Sequence, residues 1–238
     1  MTGRVKDSKA DTLNALQNGL IVSVQPIDGG AMDCDEVVVA MARAAIDGGA
    51  QGLRIEGVKR VAAVRAALPS APIVGIVKRD FDEWPIRITA LPEDVLALAE
   101  AGADIIAIDG TDRSRPHTFA DLTSIAHEQG CLVMADLAAE QEADSCLREG
   151  ADILGSTMSG YTGEAPTPEE PDFPLLAALA KKDCFVIAEG RFSTPELCRA
   201  AIEHGADCVT VGSVLTRLEY MTQLFSKSVA ATKKDSQP

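Results

Sequence analysis

The sequence predicts an α/β protein built as a single TIM (β/α)8 barrel over residues 1–238, with a short N-terminal helix. Three observations predict it. Four stretches of the chain align with one another, each pairing a helix-ending glycine with an apolar, strand-like run. Four more apolar runs alternate with them, one before the first repeat and three between repeats. The composition, 46% hydrophobic but only 4% aromatic, leaves Ala, Val, Leu and Ile to fill the core, which suits parallel strands buried under helices.

The repeats are DGGAQGLRIEG from Asp47, EAGADIIAIDG from Glu100, REGADILGSTM from Arg148 and EHGADCVTVGS from Glu203. Gly49, Gly102, Gly150 and Gly205 fall where a left-handed backbone ends a helix. They are 53, 48 and 55 residues apart, too far for one βα unit of about 30 residues and right for two. The intervening strands are LIVSVQ ending at Gln25, PIVGIVK at Lys78, CLVMAD at Asp136 and CFVIAEG at Gly190. Eight strands are therefore expected at 21–25, 52–56, 73–78, 104–109, 132–136, 153–158, 185–189 and 208–212. Helix starts agree. Thr194-Pro195-Glu196 supplies an N-cap and an N1 proline before LCRAAIEHG, and Pro92 opens EDVLALAEAG. A doubly wound open sheet is the alternative arrangement of the same units.

The barrel is expected over about 20–226. Residues 8–18 should form a helix across its lower mouth. TGEAPTPEEP (162–171) reads as a mobile loop above the sixth strand, and SVAATKKDSQP from Ser228 as a frayed, flexible tail.

Charge and motifs exclude several classes. A net charge of −14 opposes binding to nucleic acid or anionic membranes, and no apolar run reaches 18 residues. The N-terminus lacks the apolar segment of a secretory signal. Cys34, Cys131, Cys146, Cys184, Cys198 and Cys208 form no metal-type pairs and read as reduced core residues of a cytoplasmic protein. His117, His127 and His204 are scattered, so no metal site is expected. Neither GxGxxG nor GxxxxGK[ST] occurs, and no nucleotide cofactor is expected.

A barrel of this kind places its site at the carboxyl ends of the strands. Those ends carry Gln25, Arg54 with Glu56, Lys78, Asp109, Asp136, Thr157 with Ser159, Glu189, and Gly212-Ser213. Any one of them could cap a helix or meet water, but the fold would bring all to one rim. Lys78 and Glu189 are the pair with proton-transfer chemistry: a lysine whose pKa is depressed serves as a base near neutrality. A buried structural ion pair is the alternative. Arg54 and Glu56 share strand parity and form either a salt bridge or a hold on a polar substrate group. Asp109 is either a hydrogen-bond orienter or part of a solvated cluster with Asp112, Arg113 and Arg115. After the last two strands, Gly190-Arg191 and Gly212-Ser213 lead into helices as phosphate-binding turns do, with Arg217 near.

The segments GLIVSVQP, GIVKRD, ADIIAIDGTDRSRP, VMADLA, STMSGYTG, VIAEGR followed by STPE, and VGSVLTR resemble the bacterial N-acetylmannosamine-6-phosphate 2-epimerases, also called N-acylglucosamine-6-phosphate 2-epimerases. The likeness runs from the first strand to the last helix. It implies a TIM barrel that interconverts the two 6-phosphorylated N-acyl amino sugars in sialic acid breakdown, without metal or nucleotide. It implies Lys78 as catalytic acid/base and Glu189 as its partner, with Gln25, Arg54 and Asp136 positioning the sugar. Glu56, Ser159 and Tyr161 complete the expected sugar-facing set, and Gly190, Arg191, Gly212, Ser213 and Arg217 the phosphate set. A homodimer is likewise implied. The chain departs from the family pattern at Glu56, where many relatives carry Asn, and at Gly110 and Ser114 within DGTDRSRP. A Schiff-base class I aldolase and a non-catalytic phosphosugar-binding barrel are the competing readings.

Overall fold

A computed structural model describes residues 8–163 and 165–231. Among them, eight parallel strands close into a barrel, each beside its neighbours in sequence and β8 beside β1. They are β1 (Gly19–Val24), β2 (Gly52–Glu56), β3 (Ile73–Ile76), β4 (Ile105–Asp109), β5 (Leu132–Asp136), β6 (Ile153–Gly155), β7 (Phe185–Glu189) and β8 (Cys208–Val211). Helices α1 (Lys9–Leu16), α2 (Asp35–Asp47), α3 (Val58–Ala67), α4 (Pro92–Glu100), α5 (Phe119–Glu128), α6 (Ala143–Arg148), α7 (Phe173–Leu179) and α8 (Pro195–Glu203) precede or join them. After β8 come α9 (Ser213–Thr216) and α10 (Leu218–Ala231). Closure excludes the open doubly wound sheet.

The repeat has a physical meaning. The four glycines end their helices at φ of 94° to 101°, backbone that costs a side chain and costs glycine little. The polar residue two positions on accepts a backbone N–H near the start of the preceding strand: Gln51 from Leu20 at 2.8 Å, Asp104 from Ile73 at 3.0 Å, Asp152 from Val133 at 2.8 Å and Asp207 from Val186 at 2.7 Å. Each repeat thus ends one helix, starts one strand and anchors the strand beside it.

Alternation divides the strand residues between two cores. Ile21, Val74, Ile105, Leu132, Ile153, Ile187 and Cys208 face the barrel axis. Leu53, Ile55, Ile73, Ile106, Val133 and Val209 face the helices. Leu16 of α1 is fully buried in the inner cluster and stops against Gly52, so α1 closes the lower mouth. Thr194 caps α8 through Leu197 N–H, as the sequence implies.

Several boundaries differ from expectation: β1 covers Gly19–Val24 rather than 21–25, β4 starts at Ile105 rather than at 104, and β8 ends at Val211 rather than at 212. β3 ends at Ile76, not Lys78, because residues 77–89 leave the barrel as a short antiparallel hairpin. β6 ends at Gly155, not Met158, because the chain turns back there, Ser159 N–H reaching Ser156 O at 3.2 Å. α1 covers Lys9–Leu16 rather than 8–18. The expected tail begins inside α10, which runs to Ala231, and its last seven residues lie outside the described ones.

Candidate active site

The inward parity of the strands sets up the upper mouth. Arg54 is 1% exposed, and Asp136 and Asp109 are fully buried. Arg54 meets Asp136 with both terminal nitrogens, at 2.5 and 3.3 Å, and reaches Glu189 Oε2 at 3.3 Å. Thr157 Oγ1 donates to Asp136 Oδ1 at 2.7 Å. Burial works against the Arg54 charge, yet Asp136 and Glu189 hold its pKa above the ordinary value. Two polar atoms here have no hydrogen-bond partner: Arg54 Nε and Glu189 Oε2, the latter meeting Arg54 as an ion contact only. Unpaired groups in a buried site are costly and point toward something they are held for.

Burial pushes the Glu189 carboxyl up to about 7; Arg54 and Lys78 oppose the shift and Asp136 adds to it. Glu189 is therefore placed to carry a proton near neutrality. Ser156 fixes its backbone, donating to Glu189 O at 2.9 Å and accepting from Glu189 N at 3.1 Å.

Lys78 sits across the mouth. Its ammonium donates to Gln25 Oε1, and Gln25 Nε2 donates to Ser23 Oγ at 2.7 Å. Burial first, then repulsion from Arg54 and Arg217, lowers the Lys78 pKa; Glu56 and Asp28 oppose this. Direct contact belongs to Gln25, while the Lys78 charge acts on the Glu189 carboxyl through space. Glu56 stands at the rim, its carboxylate 3.5 Å from Lys78 N and 3.8 Å from Arg60.

The remaining expected residues divide. Arg217 Nε donates to Gln25 O at 3.0 Å, which joins the end of α9 to the lysine side of the mouth. Gly212 and Ser213 open α9, and Gly212 packs against Ser23. Gly190 and Arg191 both hold positive φ, 107° and 66°. The Arg191 guanidinium donates to Glu170 O at 2.7 Å and Ser159 O at 2.5 Å and lies 5.6 Å from the Tyr161 ring, so it braces the β6–α7 loop. Ser159 Oγ donates to Asp172, which caps α7. Ser159 and Tyr161 thus belong to this loop, Tyr161 half exposed. Asp109 is sealed and bound to Arg113 and Thr111, not solvated.

Sequence reading passed over Ser23, Met134, Gly155 and Thr210. Each lies two residues before a mouth residue, or one strand step beneath it, so parity alone would have found them. Met134 Sδ accepts from Arg54 at 3.7 Å. Among the described residues, no group of three His, Cys, Asp or Glu could hold a metal ion, and no helix is long and apolar enough to cross a membrane. Burial pushes the Cys146 and Cys208 thiols up to about 12 and Cys184 to about 11, consistent with core residues, whereas Cys34, just before α2, is exposed and not a core residue.

A closed (β/α)8 barrel whose mouth gathers a lysine, an arginine and two acids is a barrel enzyme. Residues 38–231 match the family described as "Putative N-acetylmannosamine-6-phosphate epimerase". The chain belongs to that family. It is 53% identical over 224 residues, 94% of each chain, to a protein of Aliivibrio fischeri named "Putative N-acetylmannosamine-6-phosphate 2-epimerase". It is 53% identical to the Haemophilus influenzae protein of the same name, over 96% of this chain and 99% of that one. The solved N-acetylmannosamine-6-phosphate 2-epimerase of Clostridium perfringens superposes with a TM-score of 0.89 at 32% identity, covering 94% of this chain and 99% of that one.

Proposed function

We propose that this chain interconverts N-acyl-D-mannosamine 6-phosphate and N-acyl-D-glucosamine 6-phosphate by moving the proton on C2. The observation that carries the reading is the Lys78, Arg54, Asp136 and Glu189 cluster at the barrel mouth of a member of this family. The C2 proton is acidic only beside a carbonyl, so the sugar reacts as its open-chain aldehyde. Neutral Lys78 takes the C2 proton, and the electron pair moves onto O1 as an enolate whose C2 carries the acylamino group. Arg54 Nε–H, buried without a partner, supplies a donor for O1. Protonated Glu189 returns a proton to the other face of C2, leaving charged Lys78 and ionised Glu189. The reverse reaction starts from that state, and solvent exchange resets the pair. Gln25 and Asp136 orient the sugar. The turn at Gly212-Ser213, with Arg217 and the Gly190-Arg191 loop, receives the phosphate. The mechanism calls for no metal or nucleotide.

α10 supports a homodimer. Leu218, Leu224, Phe225 and Val229 on it are 52–66% exposed, and none of its residues is buried. A second copy covering this face would remove that surface from water. The free thiols suit a reducing cytoplasm.

The test is NMR of N-acetylmannosamine 6-phosphate with the protein in deuterium oxide. Conversion to the gluco epimer with deuterium at C2 is expected. Binding without exchange would instead mark a non-catalytic barrel, and an adduct trapped by borohydride an aldolase.

A further inference from the structure

The motif DGTDRSRP, Asp109–Pro116, is held in hydrogen bonds of its own. Asp109 Oδ2 accepts Arg113 Nη2 at 2.7 Å, and its Oδ1 accepts Thr111 Oγ1 at 2.6 Å. Arg113 Nε donates to Thr111 Oγ1 at 2.9 Å. Arg115 donates to the carbonyls of Asp109, at 2.7 Å, and Thr111. One donor of Arg113 leaves this knot: Nη1 reaches the Pro85 carbonyl at 2.8 Å.

Pro85 lies at the tip of the hairpin that carries Lys78. The outgoing leg, Val77 to Arg79, pairs with the returning leg, Arg87 to Thr89, through Thr89 N to Val77 O at 2.8 Å and Arg79 N to Arg87 O at 2.9 Å. The returning leg bonds β4 in turn, Asp109 N to Ile88 O at 3.1 Å. It wedges between the upper ends of β3 and β4, which is why those strands pair directly over only two residues while β4 and β5 pair over five. The wedge displaces Lys78 from β4 toward β2 and Gln25. Thr89, buried at φ 43°, closes the hairpin in backbone that a β-branched residue avoids, so its neighbours must hold it there.

We propose that Arg113 is a positioning residue for Lys78: by tying the hairpin tip to the Asp109 knot on β4, it holds the lysine at the mouth without touching substrate. The inference rests on the reading of Lys78 as the base. All three guanidinium nitrogens of Arg113 are bonded, to Thr111, Pro85 and Asp109, and its charge is met by Asp109, so the side chain is engaged by the hairpin and the knot.

Trp84, the only tryptophan, sits beside Pro85 and packs edge-on against Phe81 at 5.6 Å, so its fluorescence reads the hairpin directly. The experiment compares Arg113→Ala, Arg113→Lys and Lys78→Ala for kcat, for KM with N-acetylmannosamine 6-phosphate, and for acrylamide quenching of Trp84. Arg113→Ala is expected to lower kcat about 10- to 100-fold with KM within about 3-fold, and to raise quenching. Arg113→Lys, which keeps the charge and one donor, should recover part of kcat and of the protection, and stands in should the alanine variant not fold. Unchanged kcat, unchanged quenching, or a loss appearing wholly in KM would overturn the proposal. Lys78→Ala separates the two readings. If it still turns over, the assignment of the base fails; if it is inactive while Arg113→Ala is fully active, only the present inference fails.

Discussion

Arg54 and Asp136 come within 2.5 Å of each other beneath the barrel mouth, with side chains 2% and 0% exposed. Two residues 82 positions apart form the most deeply buried ion pair of the described chain, and Glu189 shares the same guanidinium. A buried charge pair of this kind is weak evidence of stability but is costly to break by half.

Arg54→Met should therefore destabilise the fold by about 3–5 kcal/mol, since it leaves Asp136 buried with only Thr157 to meet it. Urea unfolding measures this. Pairing it with Asp136→Leu should recover much of the loss in stability but none of the activity. An unchanged midpoint in the single variant would contradict the picture.

The pH profile should be a bell. The active form carries one proton on the Lys78–Glu189 pair, in either direction of reaction. Below the Glu189 value of about 7 both groups are protonated and no base is present. Above the lowered Lys78 value neither carries a proton. The acid limb of kcat/KM is expected near 7 and the alkaline limb below the usual lysine value of about 10.4. Glu189→Gln should lower the rate and erase the limb near 7.

Lys78→Met should abolish turnover and raise stability at neutral pH. The folded protein binds the Lys78 proton less tightly than the unfolded chain does. That penalty is fully present below the folded pKa and is relieved as pH climbs from there to the unfolded value of about 10.4. The gain over wild type should accordingly shrink as pH rises through that window. Denaturation midpoints taken across it give the answer, and a gain that grew with pH would refute the assignment.

Arg217→Ala should raise KM for the phosphorylated sugar about 10-fold or more, a charge-assisted contact being worth roughly 1.5–3 kcal/mol. Any turnover of unphosphorylated N-acetylmannosamine should fall by much less, reflecting only the loss of Arg217 beside Gln25 and Lys78. Equal losses on both sugars would move Arg217 from phosphate binding to a purely structural bond with Gln25.

Gly155→Ala tests the packing under the site. The added methyl would fall 2.2 Å from Met134 Cε, and Met134 touches Arg54. A loss of about 1–3 kcal/mol is expected, with partial recovery in the double variant with Met134→Ala, measured as a double-mutant cycle.

The sequence by itself determined the unit and its count. Gly-Ala followed by Asp or Gln after a helix is a local instruction: a left-handed end, then a side-chain oxygen at the right distance for the neighbouring strand's N–H, then a strand. Strand alternation is local too, and it already put Gln25, Arg54, Lys78, Asp136 and Glu189 on the inner face. What these side chains do to one another was not local. Closure of the barrel decided that Arg54 meets Asp136 and Glu189, that Lys78 meets Gln25, and that burial raises the Glu189 carboxyl above its ordinary value, because burial and Coulomb fields depend on distances through space. The hairpin at 77–89 escaped the pattern for the same reason. Its returning leg needs the gap between the upper ends of β3 and β4, and that gap exists only once the sheet has closed. It is the tertiary structure that chose between the two readings of Asp109, burying it in hydrogen bonds with Thr111 and Arg113 rather than leaving it in a solvated cluster.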